Sequence, residues 1–257
     1  MTVEGLQEGA FDFIPKPSGA DAKANADSLR DQLFVKLDAF QSRRMIGFKA
    51  KGPAAAPVPR ARKTNRFRAV LVAASTGGPE ALAKLLPMLT LVCPVPMFLV
   101  QHMPAGFTSY FSTSLAHRCG TRVVEAKEGQ LAEAGVLYMA PEGRHLVLNR
   151  VSCQIVTGLV DTPPENGCRP AADVLFRSAA VAYSGQVLAL VLTGMGSDGA
   201  SGAAVLKRAG AYVIAQDEAS SIVWGMPGST VAAGAADEVL PLEEIGPALL
   251  SLLGVGG

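Results

Sequence analysis

The strongest constraint on the fold is a unit that recurs along residues 67–257, where a short and almost wholly apolar run ends in a loop and a helical pattern follows. The clearest copies start at residues 67–73 (FRAVLVA) and 187–193 (VLALVLT), and shorter ones start at 96–101 and 211–216. Strands that are apolar on both faces are typical of a parallel sheet covered by helices on both sides. The pattern therefore predicts an α/β domain with a doubly wound, mainly parallel sheet.

Three further apolar runs lie between strands 96–101 and 187–193, close together and separated by turn residues. They occupy residues 136–141, 145–150 and 153–158. Close spacing with turn signals favours antiparallel pairing. We therefore expect an antiparallel hairpin beside the parallel sheet.

Composition excludes several classes of protein. Hydrophobic residues make up 49% of the 257 residues and charged residues 18%, which supports a sizeable core. The formal net charge of +1 gives no reason to expect a nucleic-acid partner. The first residues carry acids and no signal-peptide core, and no apolar run is long enough to span a membrane. We therefore expect a cytoplasmic protein without membrane insertion.

The four cysteines are scattered through the chain and form no C-x-x-C pair; they are Cys93, Cys119, Cys153 and Cys168. Without paired spacing they are interpreted as reduced thiols, and neither a disulfide framework nor a metal site is expected. No cofactor is expected either.

The chain before residue 67 has a different texture. Residues 50–66 combine proline, alanine and basic residues, which is typical of an exposed linker. Their basic cluster is interpreted as a solvated tether rather than a binding site. Residues 1–49 contain one short strand, FDFIPKP, and one amphipathic helix, which is too little to close a core. This segment is interpreted as the end of something larger.

Three chemically useful side chains follow three different strands. Ser75 follows strand 67–73, His102 follows strand 96–101, and Asp198 follows strand 187–193. Ligands of open α/β sheets bind outside the carboxyl ends of the strands, so these residues are expected at one edge. A serine, a histidine and a carboxylate in that position favour a Ser-His-Asp triad, with His102 as base and Asp198 orienting it.

Glycines and backbone amides around the serine suit the same chemistry. Gly77 and Gly78 open a helix directly after Ser75, so amides there can bind a developing oxyanion. The Met195 amide, in a G-M-G turn, is a second candidate donor. The order Ser…His…Asp is not that of α/β-hydrolases, which predicts a different fold with convergent geometry.

Each signal also has a simpler interpretation. The Ser-Thr-Gly-Gly stretch can be a helix cap or an anion cradle, His102 a packed histidine, and Asp198 a helix cap. His117 and His145 are interpreted as structural. Cys168 is considered as a second nucleophile and interpreted as an inert small residue near the site.

A dinucleotide-binding site is the sharpest alternative. Gly194, Gly196 and Gly199 match G-x-G-x-x-G after a strand, and Asp217 ends the next strand. The carboxylate of Asp198 within that loop would repel a pyrophosphate. A non-catalytic signalling module is a second alternative.

The chain resembles one family, the CheB-type protein-glutamate methylesterases of bacterial chemotaxis. The resemblance covers residues 67–251 and rests on these stretches: A-S-T-G-G-P-E-A-L (74–82), Q-H-M-P-A-G-F-T (101–108), R-P-A-A-D-V-L-F (169–176), L-T-G-M-G-S-D-G-A (192–200) and I-A-Q-D-E-A-S-S…G-M-P (214–227).

The resemblance implies hydrolysis of glutamate γ-methyl esters, and deamidation of certain glutamines, on methyl-accepting chemotaxis receptors. It implies Ser75 as nucleophile, His102 as base and Asp198 as the third triad member, with the Met195 amide as oxyanion donor. The Thr76 hydroxyl, Arg169 and Met226 match family positions that border the site. Cys168 is a departure, because some relatives carry histidine before the Arg-Pro.

The resemblance extends to the first 49 residues. Residues 9–17 resemble the last strand of a response-regulator receiver domain, with Lys16 at the phosphoryl-contacting lysine and Pro17 at the proline after a cis bond. The phospho-accepting aspartate is absent, so we expect a truncated receiver that phosphorylation does not switch. A histidine kinase partner is expected only for a full receiver.

Overall fold

The computed structural model describes residues 5, 12–14, 16, 21–46, 67–89, 93–104, 106–120 and 122–255. The expected linker at 50–66, Pro17 and most of the first twenty residues lie outside this range.

A seven-stranded, fully parallel sheet forms the centre of the fold. Its strands are β1 (Ala69–Ala74), β2 (Met97–Gln101), β3 (Arg122–Glu125), β4 (Val136–Met139), β7 (Val187–Val191), β8 (Tyr212–Gln216) and β9 (Glu238–Leu240). They lie side by side in the order β3-β4-β2-β1-β7-β8-β9. Two further strands, β5 (His145–Val151) and β6 (Gln154–Val160), pair antiparallel as a separate hairpin.

Seven helices, of which the first is much the longest, complete the described part of the chain. Their bounds are α1 (Ala22–Ile46), α2 (Gly78–Leu89), α3 (Thr108–Cys119), α4 (Ala172–Ala182), α5 (Ala200–Arg208), α6 (Gly225–Ala232) and α7 (Leu242–Leu253). All but α1 follow β1 in sequence and surround the sheet.

Helices cover both faces of the sheet because every central strand is apolar on both sides. In β1, Val70 and Val72 pack into one buried cluster with α2 and α7, whereas Leu71 and Ala73 pack into another with α4 and α5. Two clusters on opposite faces are what a doubly wound sheet requires. The predicted fold class is therefore confirmed.

Two local predictions are wrong. Residues 136–141 were expected in the hairpin, but β4 lies within the parallel sheet between β2 and β3 because all four of its residues are buried. A strand was expected at residues 9–17, but the described residues 12–14 are not in a strand. β3 and β9 are short strands with mixed burial, and the sequence pattern did not reveal them.

The strand order places three loops next to one another. β1 lies between β2 and β7, so the loops after these three strands meet at the same edge of the sheet. Among the described residues, no helix has the length and apolar character needed to cross a membrane.

Candidate active site

Ser75 lies immediately after β1 and is held by its backbone. Its amide donates to the Thr193 carbonyl at 3.0 Å, and its carbonyl accepts from the Gly78 amide at 2.8 Å and from Gln101 Nε2 at 2.9 Å. Bonds to the last residue of β2 and to the loop after β7 fix the position of the residue from both sides. The residue as a whole is half-buried.

The glycines after Ser75 are required by close packing. Gly77 has φ +80, and a Cβ there would lie 2.6 Å from the Cβ of Ile222. A Cβ on Gly78 would lie 2.1 Å from Gln101 Oε1 and 2.9 Å from the Cβ of Ala74. The turn can therefore pass between neighbouring strands only without side chains at these two positions.

His102 and Asp198 form a direct pair. The Nε2 atom of His102 lies 2.8 Å from Oδ2 of Asp198, although the two residues are 96 positions apart. An ionised carboxylate can only accept, so Nε2 carries its hydrogen toward Asp198 and Nδ1 is left as the acceptor. The nitrogen available to serve as base is therefore Nδ1.

Backbone amides hold the Asp198 carboxylate in place. Ala172 N donates to Oδ2 at 2.6 Å, and Asp173 N and Gly199 N each donate to Oδ1 at 3.0 Å. Ala172 and Asp173 are the first residues of α4, where the free amides and the helix dipole favour a negative charge. Asp198 is 2% exposed, so this cradle replaces the water that the charge has lost.

These contacts set the protonation of the pair. Burial opposes ionisation of Asp198, but the hydrogen bond to His102, its charge and the backbone amides outweigh it and hold the pKa of Asp198 below its usual range. Burial also opposes charge on His102, yet the Asp198 hydrogen bond and the neighbouring Cys168 thiol raise the pKa of His102 to about 9. The site stabilises a charged imidazole, which is the state that follows removal of a proton from a nucleophile.

A cavity of about 330 Å³ joins the predicted site residues. Ser75, Thr76, Gly77, His102 and Arg169 all line it, and Asp198 lies behind His102. The other two candidates, Met195 and Met226, are not among its lining residues. Met226 is fully buried next to Gly194, where a Cβ would lie 2.4 Å from its sulfur and 2.8 Å from the Cβ of Ser75.

The ring nitrogen that faces away from Asp198 contacts a thiol. Nδ1 of His102 lies 3.7 Å from Sγ of Cys168, and within the described part of the chain no hydrogen bond joins Ser75 Oγ to His102. Cys168 also lines the cavity. Cys168 therefore lies near the site, as expected, and its thiol contacts the ring nitrogen that can act as a base.

The amino-terminal segment reaches the same cavity. Asp12 Oδ2 accepts a hydrogen bond from the Thr76 hydroxyl at 2.9 Å and forms an ion pair with Lys36 Nζ at 2.5 Å. The ring of Phe13 packs against that of Phe107, with centroids 4.8 Å apart. The described part of residues 1–49 thus contributes to the wall of the cavity.

The donor set does not suit a metal ion. His102, Cys168 and Asp198 offer ligand atoms within 4.8 Å of one another. However, the thiol contacts one ring nitrogen and the carboxylate the other, and Asp198 already accepts three backbone amides. One imidazole cannot bring both partners to the same ion without losing that cradle.

Sequence reasoning missed a second buried carboxylate at this site. Asp173 accepts from the Gly202 amide at 2.6 Å and from Asn166 Nδ2 at 2.9 Å, and the same Asn166 nitrogen lies 3.5 Å from Asp198 Oδ1. Burial, with Asp198 nearby, raises the pKa of Asp173. The motif R-P-A-A-D held the signal, but the position of the aspartate at a helix start is visible only in the fold.

Contacts indicate the role of His145 and argue against the dinucleotide alternative. His145 is fully buried and bonds the Pro163 carbonyl and the Ala171 amide, which is a structural role as expected. The G-x-G-x-x-G loop does not offer a phosphate site, because Asp198 already occupies the Gly199 amide. His117 lies in the last turn of α3.

A doubly wound α/β domain with a His-Asp pair and a serine in one cavity is typical of acyl hydrolases. The CheB methylesterase family model matches residues 70–249. The chain belongs to this family, as the sequence motifs predicted.

Individual relatives agree with the family model. The protein-glutamate methylesterase/protein-glutamine glutaminase of Trichodesmium erythraeum is 39% identical over 259 residues, covering 98% of this chain and 74% of its own length. The protein of the same name from Nocardioides sp. is 41% identical, covering 98% of this chain and 71% of its own. The crystal structure of the Thermotoga maritima CheB methylesterase catalytic domain matches with a TM-score of 0.70 and 38% identity, covering 72% of this chain and 98% of that one.

Proposed function

We propose that this chain hydrolyses glutamate γ-methyl esters of chemoreceptors, and deamidates certain receptor glutamines, with Ser75, His102 and Asp198 as its catalytic residues. The hydrolase class agrees with family membership, since the relatives are named protein-glutamate methylesterase/protein-glutamine glutaminase. The observation that carries the residue assignment is the 2.8 Å contact of Asp198 with His102, which lines the same cavity as Ser75.

The reaction begins with proton transfer from Ser75 to His102. The Ser75 oxygen attacks the ester carbonyl while Nδ1 of His102 accepts the hydroxyl proton, and Asp198 stabilises the resulting imidazolium through Nε2. The imidazolium then returns the proton to the departing methoxide, so methanol leaves and an acyl-serine remains. Such acid-base assistance contributes about 10²–10⁴-fold.

Water completes the cycle through the same groups. His102 removes a proton from water, which attacks the acyl-serine carbonyl, and the Ser75 oxygen takes that proton back as the free carboxylate leaves. A glutamine side chain follows the same path with ammonia in place of methanol. One site therefore serves both activities.

Backbone amides near Ser75 suit the oxyanion. The Gly78 amide is already used by the Ser75 carbonyl, whereas the amides of Thr76 and Gly77 have no acceptor among the described residues. Both precede α2, whose dipole favours negative charge at this end. We assign the oxyanion to these amides, with the Met195 amide as the donor on the facing loop.

The bordering residues have separate roles in this proposal. The Thr76 hydroxyl, which bonds Asp12 in this structure, is free to bind the substrate when that carboxylate is displaced. The exposed Arg169 guanidinium suits the acidic surface around a receptor glutamate. Buried Met226 supports the Gly194 backbone beside Ser75.

The division of the chain is part of the same proposal. Residues 1–49 are the carboxyl end of a receiver domain, 50–66 a linker, and 67–257 the methylesterase domain. The family match at 70–249 and the catalytic-domain structure, which covers 72% of this chain, support the last boundary. The proposed substrates are glutamates on the cytoplasmic helices of methyl-accepting receptors.

Methylated receptor provides the test. Receptor fragments carrying tritiated methyl esters are incubated with the wild-type protein, and volatile methanol is collected over time. Enzyme-dependent methanol release supports the proposal, whereas binding of the receptor without release would favour a non-catalytic receptor-binding module.

A further inference from the structure

The thiol of Cys168 and the hydroxyl of Ser75 depend on the same nitrogen. Cys168 Sγ lies 3.7 Å from His102 Nδ1, the only ring nitrogen that the Asp198 pair leaves available. Both residues line the cavity with His102. Cys168, His102 and Asp198 therefore form a Cys-His-Asp arrangement that shares its base and its carboxylate with the serine.

A strongly basic imidazole lies beside the thiol. Burial acts against charge on His102, yet Asp198 and Cys168 together raise the pKa of the imidazole to about 9. The thiolate is the reactive form of cysteine, and a base that accepts the thiol proton generates it. Arg169, the next residue, lines the same cavity.

We propose that Cys168 is a modification site for small disulfides, and that its modification inhibits the esterase by blocking the access of Ser75 to Nδ1 of His102. This inference deepens the proposed function and rests on it for the loss of activity. The cavity of about 330 Å³ gives a small molecule room to reach the sulfur.

The chemistry is thiol–disulfide exchange. His102 Nδ1 accepts the proton of Cys168, and the thiolate attacks one sulfur of the reagent. A new bond forms from Sγ to that sulfur as the disulfide bond of the reagent breaks, and the departing sulfur leaves as a thiolate that takes the proton from Nδ1. Cys168 is oxidised to a mixed disulfide, and half of the reagent is reduced to a thiol.

Modification blocks the base by occupancy. The added group lies on the cavity side of His102, where Ser75 and the ester must meet Nδ1. The mixed disulfide also replaces the thiol that Nδ1 contacts. Dithiothreitol reverses the bond, so the inhibition is expected to be reversible.

The chain supplies a matched control for this site. Cys153 is exposed in the turn between β5 and β6, whereas Cys93 and Cys119 are buried. An ordinary exposed thiol and the proposed one can thus be compared in one molecule.

The test uses 2,2′-dithiodipyridine, which releases a coloured thiopyridone for each thiol modified. It is applied at pH 7 to the wild-type, Cys153→Ser, Cys168→Ser, Cys168→Ala and His102→Gln proteins, with peptide mass mapping to identify the modified cysteine. Cys168 is expected to react at least about tenfold faster in the wild type than in His102→Gln, because that variant lacks the base. The rate at Cys153 is expected to be the same in both.

Methanol release is measured on the same samples. The wild-type and Cys153→Ser proteins are expected to lose activity in proportion to Cys168 modified and to regain it with dithiothreitol. Cys168→Ser and Cys168→Ala are expected to keep their own untreated rates. The proposal is overturned if Cys168 reacts no faster in the wild type than in His102→Gln, or if the wild type modified at Cys168 keeps its activity.

The two proposals fail in different ways. If the untreated wild type releases no methanol, the esterase assignment is wrong, while the colour released from Cys168 still measures the thiol–imidazole pair. If methanol release is normal and insensitive to Cys168 modification, the modification site is wrong and the esterase assignment stands.

Discussion

Nε2 of His102 lies 2.8 Å from Oδ2 of Asp198, and this pairing decides which ring nitrogen meets the serine. The carboxylate holds Nε2, so the proposed mechanism uses Nδ1 to accept the proton of Ser75. The same nitrogen contacts Cys168, which makes the thiol a competitor for the base.

Replacing Asp198 with asparagine tests the orienting carboxylate. A neutral amide in place of the carboxylate cannot fix the tautomer or stabilise the imidazolium, so kcat is expected to fall by about 10²–10⁴-fold. The loss in His102→Gln is expected to be larger, because that variant removes proton transfer itself. Methanol release under saturating substrate measures both.

The same substitution disturbs the fold, because Asp198 accepts three backbone amides. Loss of charge there is expected to lower the free energy of unfolding by roughly 1–3 kcal/mol. Asp161→Asn, in an exposed ion pair with Arg144, serves as the control and is expected to change little. Wild-type turnover by Asp198→Asn would contradict the orienting role.

The pH dependence of turnover follows from the raised pKa of His102. Only the neutral imidazole accepts a proton, so kcat/KM is expected to rise with pH until the pKa of about 9 is passed. Cys168 contributes to the raised pKa of His102. Cys168→Ser is therefore expected to move the midpoint of the pH profile to lower pH. Identical pH profiles of the wild type and Cys168→Ser would show that the thiol does not affect the pKa of His102.

Folding stability is expected to depend on pH through the side chains of His102 and Asp198. His102 has a folded pKa of about 9, above its ordinary value of 6.5, so its contribution is fully present below 6.5 and lost as pH rises through 9. Asp198 has a lowered pKa, so its contribution is lost only as pH falls below its ordinary value of 3.8. The free energy of unfolding, measured in urea between pH 6 and 10, is expected to fall as His102 loses its proton in the wild type. It is expected to fall less in Asp198→Asn.

Gly77 and Gly143 separate backbone strain from crowding. Both have a left-handed φ, +80 and +73, but a Cβ on Gly77 meets Ile222 at 2.6 Å whereas one on Gly143 meets nothing within 4 Å. Gly77→Ala is therefore expected to destabilise by about 1–3 kcal/mol more than Gly143→Ala. Thermal unfolding of the two variants checks this, and equal losses would show that the contact with Ile222 is unimportant.

Much of this arrangement could be read from the sequence. The apolar runs before Ser75, His102 and Asp198 predict adjacent parallel strands, because such strands are buried on both faces. The carboxyl ends of such strands lie at one edge of the sheet, which predicts that the three residues lie close together. Their roles in catalysis remain a prediction.

Other features depend on three-dimensional packing that a linear pattern does not encode. Whether the run at 136–141 pairs within the sheet or in the hairpin depends on which neighbour it buries against, and its periodicity is the same in both cases. The amide of Ala172 in α4 that holds Asp198 comes from a residue 26 positions away. Likewise, nothing near Cys168 in the sequence predicts contact with His102, 66 positions earlier.

The central claim is that the hydroxyl of Ser75 attacks the methyl ester. The most direct measurement is methanol release from methylated receptor by Ser75→Ala and wild-type proteins of equal thermal stability. The account predicts that Ser75→Ala loses at least about 10³-fold in turnover, because it removes the nucleophile. Wild-type turnover by Ser75→Ala would contradict it.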